Sequence, residues 1–142
     1  MTDKKPGIAD YPLAERRPDL VESAKGQPLE ALTLEALEQQ QIGMEDLRIT
    51  PEALRQQAAI ARDAGRATLA QNFERAAELV PVPQDLVMDI YELLRPGRAK
   101  NKAELLAMAE RLREEHGAEV MAGFLEEAAE VYEARGLFTY RF

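Results

Sequence analysis

"RITPEALRQQAAIARDAGR", residues 48–66, decides how this chain is read. Thr50 is placed to accept from the first free backbone N–H groups of a helix, and Pro51 falls where a missing donor costs nothing. Ile49 and Leu54 stand at the two ends of a hydrophobic staple, and Glu52 puts negative charge in the first turn. Leu54, Ala58, Ala61 and Ala64 then repeat on one face at the helical period. The start is closely specified, yet the helix carries Gln, Ala and Arg rather than reacting groups. It reads as a helix to be held against a larger partner.

Outward from this stretch the pattern stays helical. Thr33 caps a short helix over about Leu34–Gln40 that stops near Gly43, and one turn at Met44–Leu47 leads into the helix at Pro51. Gly65 breaks or bends that helix, and Leu69, Phe73, Ala76, Ala77 and Val80 form the next stripe. Pro81 and Pro83 end the run, because a helix-interior proline loses a hydrogen bond and clashes. Pro83 also suits the first position of the following helix, whose apolar face is Leu86, Val87, Ile90, Tyr91 and Leu94. Asn101 caps a helix with Leu105, Leu106, Ala109 and Leu112 inward, and Gly117 stops it. The last helix shows Val120, Met121, Phe124, Leu125, Ala128, Val131 and Tyr132 before Gly136. Only LFTYRF at the very end offers a strand. The predicted class is all-α: a compact bundle of about five helices in 33–142, preceded by an extended N-terminal arm, 1–32. Pro6, Gly7, Pro12, Pro18, Gly26 and Pro28 interrupt any helical period in that arm. Tyr11, Leu13, Leu20 and Val21 are more apolar residues than a disordered tail usually carries.

The 142 residues suit one domain with a modest core. Apolar residues make up 46% but aromatics only 6%, with no Trp, and the abundance of Ala and Leu favours helices. Burial is worth about 25 cal/mol per Å² of apolar area and Ala supplies little, so so thin a core gains from a partner. There is no Cys, hence no disulfide framework and no sulfur-based zinc site. The net charge of −8 and pI near 4.8 disfavour nucleic acid and anionic membranes. The opening MTDKKPGIAD lacks the apolar core of a secretory signal, and no stretch approaches the ~18 apolar residues of a span. These features predict a soluble cytoplasmic protein.

Chemistry is sparse. His116, the only histidine, sits beside Gly117 at a helix end, where an imidazole interacts with the last carbonyls; a general-base role is the lesser reading. Ser23 is the only serine and has no nucleophile elbow around it. Glu126, Glu130 and Glu133 share a face, with Glu119 and Glu127 near. One histidine cannot complete a di-iron pair of Glu-x-x-His motifs, so the face reads as solvated or turned to basic groups of a partner. No Asp-rich calcium loop and no phosphate-binding glycine loop occur. RPGRAKNK, 95–102, gathers Arg95, Arg98, Lys100 and Lys102, fit for an anion, an acidic partner or solvent. Helices over 51–95 have the short connections of a helix-turn-helix but lack its basic face. A binding or structural subunit explains the residues better than an enzyme standing alone.

DYPLA (10–14), LTLEAL (32–37), MEDLRITPEALRQQAAIARDAGR (44–66), NFERAAEL (72–79), IYELLRPGR (90–98), AELLAMAERL (103–112) and AGFLEEAAEVYEARGLF (122–138) carry a resemblance. Together they resemble the small (gamma) subunit of adenosylcobalamin-dependent diol and glycerol dehydratases, in order and over nearly the whole chain. The resemblance implies a hydro-lyase built from two copies each of a large (alpha), a medium (beta) and a small subunit. The large subunit would be a TIM barrel holding substrate and a metal ion, with cobalamin between the large and medium subunits. A 1,2-diol would lose water by a radical route to give an aldehyde. The small subunit would be helical, pack on the large one and contribute no catalytic group, cofactor ligand or metal ligand. Partner-facing residues carried over from the resemblance are Tyr11, Pro12 and Leu13, then Arg48, Phe73 and Arg75, then Arg95 and Pro96. Core packing competes for Phe73, and intrachain pairing for Arg48 and Arg75. The nine residues before Asp10 resemble the glycerol-type form and give no sign of encapsulation in a microcompartment. The competing reading is a free-standing helical adaptor or regulator of the same ancestry.

Overall fold

In a computed structural model of the chain, which describes residues 5–139, Thr50 is the cap its sequence predicts: its hydroxyl accepts from the Ala53 N–H at 3.1 Å, with Pro51 at the first helical position. Among the described residues seven α-helices follow one another: α1 (Leu13–Arg16), α2 (Leu34–Glu38), α3 (Pro51–Asp63), α4 (Ala67–Leu79), α5 (Gln84–Leu94), α6 (Lys102–His116) and α7 (Glu119–Ala134). Single 3-10 turns lie at Ile8–Asp10, Pro18–Leu20, Leu29–Ala31 and Met44–Leu47. The described residues contain no strand, only an isolated bridge between Glu22 and Pro28. Residues 137–139 of LFTYRF form a turn, and 140–142 lie outside the described residues. The fold is all-α, with α3 to α7 as its five long helices.

The chain divides into two compact units, Met1–Val80 and Pro81–Phe142. In the first, α3 and α4 fold back on each other as a helical hairpin. Gly65 makes the reversal at φ +75°, a backbone region where a Cβ is strained, and the Arg66 N–H returns to the Ala61 carbonyl at 2.8 Å. Ala58, Ala61 and Ala70 form the seam, and Phe73 packs against it. The arm meets α3 at Ile8–Asp10 and at Leu20, with Leu13 buried; the Tyr11–Pro12 peptide is cis.

In the second unit, α6 and α7 form the other hairpin, and α5 packs on α6. Asn101 caps α6 by accepting from the Glu104 N–H at 3.1 Å. Gly117 ends it at φ +61°, with the Ala118 N–H returning to the Leu112 carbonyl at 3.1 Å. Leu105, Leu112 and Leu125 are the largest fully buried side chains, interleaved with Ala109, Ala122 and Ala129. The Tyr132 hydroxyl donates to the Leu94 carbonyl at the end of α5.

Four expectations need correction: Leu106, expected inward on α6, is 39% exposed, because Leu105, Ala109 and Leu112 alone face the core. Ala64 is exposed, while Gln56 and Ile60 of α3 are buried, Gln56 against the Leu20 carbonyl of the arm. Pro83 is the residue before α5, not its first. Tyr91 is 59% exposed, so the apolar face of α5 narrows to Leu86 and Ile90 with flanking half-buried residues. No helix of the described residues is long and apolar enough to cross a membrane.

Candidate functional site

A groove of about 830 Å³ lies in the first unit, between residues 11–24 and residues 48–57. One wall exists because Thr50 starts α3 where it does, so that Ile49, Thr50, Ala53 and Gln57 line it. The other wall is the short helix α1, a 3-10 turn and loop, and it is held by side-chain hydrogen bonds to distant backbone. Gln56 Nε2 donates to the Leu20 carbonyl at 3.1 Å. The Ile8 N–H donates to Asp63 Oδ2 at 2.8 Å, and a Cβ on Gly7 would stand 2.7 Å from that same oxygen. A side chain at position 7 would need the Asp63 carboxylate to shift away from the Ile8 N–H.

The strongest tie is a buried polar cluster. Ser23 Oγ donates to Asp46 Oδ1 at 2.7 Å and accepts from the Lys25 and Gln27 N–H groups at 3.2 and 3.1 Å. Asp46 Oδ2 accepts from the Gly43 N–H at 3.0 Å. Both side chains are buried and every partner is satisfied, as burial demands. The Gly43 N–H and then the Ser23 hydroxyl hold the Asp46 carboxyl below the usual carboxylate range. At the surface beside it, Lys25 Nζ meets Glu45 at 2.9 Å, raising the lysine and lowering the glutamate. The cluster fastens the N-terminal segment to the turn before α3.

Of the residues singled out by resemblance, Tyr11, Pro12, Leu13 and Arg48 come together around this groove. Leu13 is buried, whereas Tyr11, Pro12 and Arg48 are exposed. Phe73 lies elsewhere in the unit, half-buried on the alanine seam, and Arg75 donates to Asn72 within α4. In the second unit, Arg95 pairs with Glu92 at 3.0 Å and Pro96 is exposed in the turn closing α5. Sequence reading missed Ser23, Gln56 and Asp46 as structural residues. The local signal for Asp46 was its place three residues after Gly43, where a carboxylate returns to the backbone N–H. Nothing local marked Gln56, whose partner is 36 residues away.

The charged stretches of the second unit are largely neutralised within it. Lys102 Nζ lies 2.7 Å from both Glu130 and Glu133, and Arg113 reaches Glu119 and Glu126 at 2.9 Å each. These carboxylates hold the lysine and arginine above their ordinary values. Arg98 joins Arg95 at Glu92, at 3.8 Å. His116 Nε2 is 3.9 Å from Glu115 at the end of α6. No three His, Asp or Glu side chains among the described residues converge as a metal-binding group would.

Each unit holds a helical hairpin, and in the first an arm is fastened beside an open groove. A family model for the dehydratase small subunit matches residues 7–139, and the chain belongs to that family. It is 47% identical over 134 residues to the propanediol dehydratase small subunit of Salmonella typhimurium, covering 94% of this chain and 77% of that one. It is 48% identical over 128 residues to the propanediol dehydratase small subunit of Citrobacter freundii, covering 90% and 74%. As a small subunit of a multi-subunit dehydratase, it has other subunits as partners.

Proposed function

We propose that this chain is the non-catalytic small subunit of a coenzyme B12-dependent glycerol or 1,2-propanediol dehydratase. It packs on the large subunit and supports assembly of a cytoplasmic complex holding two copies each of large, medium and small subunits. The observation that carries the reading is the 47% identity, across 94% of the chain, to a protein named as propanediol dehydratase small subunit. In that complex adenosylcobalamin, bound by the other subunits, supplies the radical chemistry by which a 1,2-diol loses water to become an aldehyde. This chain's groove is lined without a histidine, and none of its residues is assigned to the cofactor or the substrate.

Its own task is adhesion. Ile8, Tyr11, Leu34, Met44, Leu47 and Ile49 are all more than half exposed in the first unit, an apolar excess suited to a covered surface. Tyr11, Pro12, Leu13, Arg48, Phe73, Arg75, Arg95 and Pro96 remain the residues proposed to serve the partner contact, with Leu13 and Phe73 acting from beneath it.

The test is an affinity pull-down of the tagged chain from its host, with the eluate assayed for adenosylcobalamin-dependent aldehyde formation from glycerol and 1,2-propanediol. Recovery of a large and a medium subunit with that activity is the expected result, and the rate ratio assigns the substrate. Recovery of the chain alone from cells growing on these diols would overturn the proposal.

A further inference from the structure

We propose that the groove between residues 11–24 and 48–57 receives a segment of another dehydratase subunit that carries an apolar side chain beside a lysine or arginine. This deepens, and rests on, the small-subunit reading. The groove has an apolar floor and side: Leu13 is buried, Leu20 and Val21 are half-buried, and Ile49 is 57% exposed. Its rim is acidic. Asp19 is already neutralised by Arg17 at 2.8 Å, but Glu22 and Glu52 are not. Among the described residues, no cationic nitrogen lies within 4.0 Å of either carboxylate. Arg48 is the one cation among the lining residues, against Asp19, Glu22 and Glu52, so the lining carries an acidic excess. Apolar surface flanked by two uncompensated carboxylates complements a cationic amphipathic segment, whose stem covers the floor while its head group meets the rim.

The groove is also preformed. Its loop wall is tied to the helical wall by Gln56 and to the Met44–Leu47 turn by Ser23 and Asp46, so little ordering is left to do on docking. Gln56, Ser23 and Asp46 are positioning residues here.

The experiment uses the full chain with the large and medium subunits. Binding of wild type is compared with Glu22→Lys/Glu52→Lys and with a control reversal on α6, Glu110→Lys. Glu52 lies in the first turn of α3, where a lysine opposes the helix dipole, so Glu22→Gln/Glu52→Gln runs alongside. Hydrogen exchange is followed at 11–24 and 48–57 in free and assembled wild type. The groove proposal expects at least tenfold weaker assembly for the reversal, an intermediate loss for the neutral pair and none for the control. It also expects wild-type affinity to fall with salt and both walls to gain protection on assembly. If wild type assembles but both groove variants match it, or the walls gain no protection, the groove proposal is overturned and the small-subunit reading stands. If the walls gain protection in the chain alone as its concentration rises, a second copy is the occupant and the groove proposal is overturned. If wild type binds neither subunit, the small-subunit reading itself fails, and the groove proposal with it.

Discussion

Ser23 and Asp46, 23 residues apart, share a 2.7 Å hydrogen bond that joins the N-terminal segment to the turn before α3. The bond is buried, and the same serine oxygen also receives two backbone N–H groups. Removing it costs more than one contact, because three donors or acceptors lose their partner together.

Ser23→Ala is therefore expected to lower the thermal midpoint of the full chain by roughly 5 °C, while Ser23→Thr retains more of it. Scanning calorimetry on the three proteins checks this. An unchanged midpoint for the alanine variant would show that the cluster does not fasten the segment.

Acid dependence follows from Asp46. Its carboxyl is held below the ordinary range, so its stabilising contribution is complete above the unfolded value near pH 4 and is lost as pH falls through the lower folded value. Asp46→Asn removes that contribution at neutral pH and flattens the acid limb below about pH 4. Urea midpoints of both proteins from pH 7 to pH 2.5 test the sign: the gap is expected to close as pH falls.

Backbone handedness predicts opposite effects at two helix ends. Gln40 takes φ +58° after α2, a region costly for a residue with a Cβ, and Gln40→Gly is expected to stabilise by about 0.5–1 kcal/mol. Gly117→Ala, at φ +61° after α6, is expected to destabilise by about 1 kcal/mol or more. Thr50→Ala removes the α3 cap for about 1 kcal/mol. Denaturant titrations resolve all three.

The α6–α7 hairpin depends on small residues as much as on large ones. Leu112→Ala opens a cavity and is expected to cost about 2–5 kcal/mol. Ala122→Leu forces extra atoms into a fully buried position and costs about 1–3 kcal/mol. Tolerance of the leucine would mean that the two helices are not in close contact there.

Phe73 packs on Ala58, Ala61 and Ala70 from a half-buried position. Phe73→Ala is expected to destabilise the chain by about 1–3 kcal/mol, and Phe73→Leu by less. Melting of the purified chain separates this from a loss confined to the complex, which would leave the free chain unchanged.

Helix starts and stops were legible in the amino-acid order because caps are local. Thr33, Thr50 and Asn101 each accept from a backbone N–H three residues on, and Gly65 and Gly117 each sit where the turn has positive φ. The all-α class and the family motifs were readable for the same reason: they are runs of neighbouring residues. Which face is buried was not. Leu54 to Ala64 looked like one stripe, but Ala64 is exposed and Gln56 is buried, bonded to a carbonyl 36 residues away. Only the tertiary structure brought Tyr11, Leu13 and Arg48 to one groove and left Phe73 on the alanine seam. Capping is satisfied within one turn of chain, whereas burial and a groove depend on which distant segments meet.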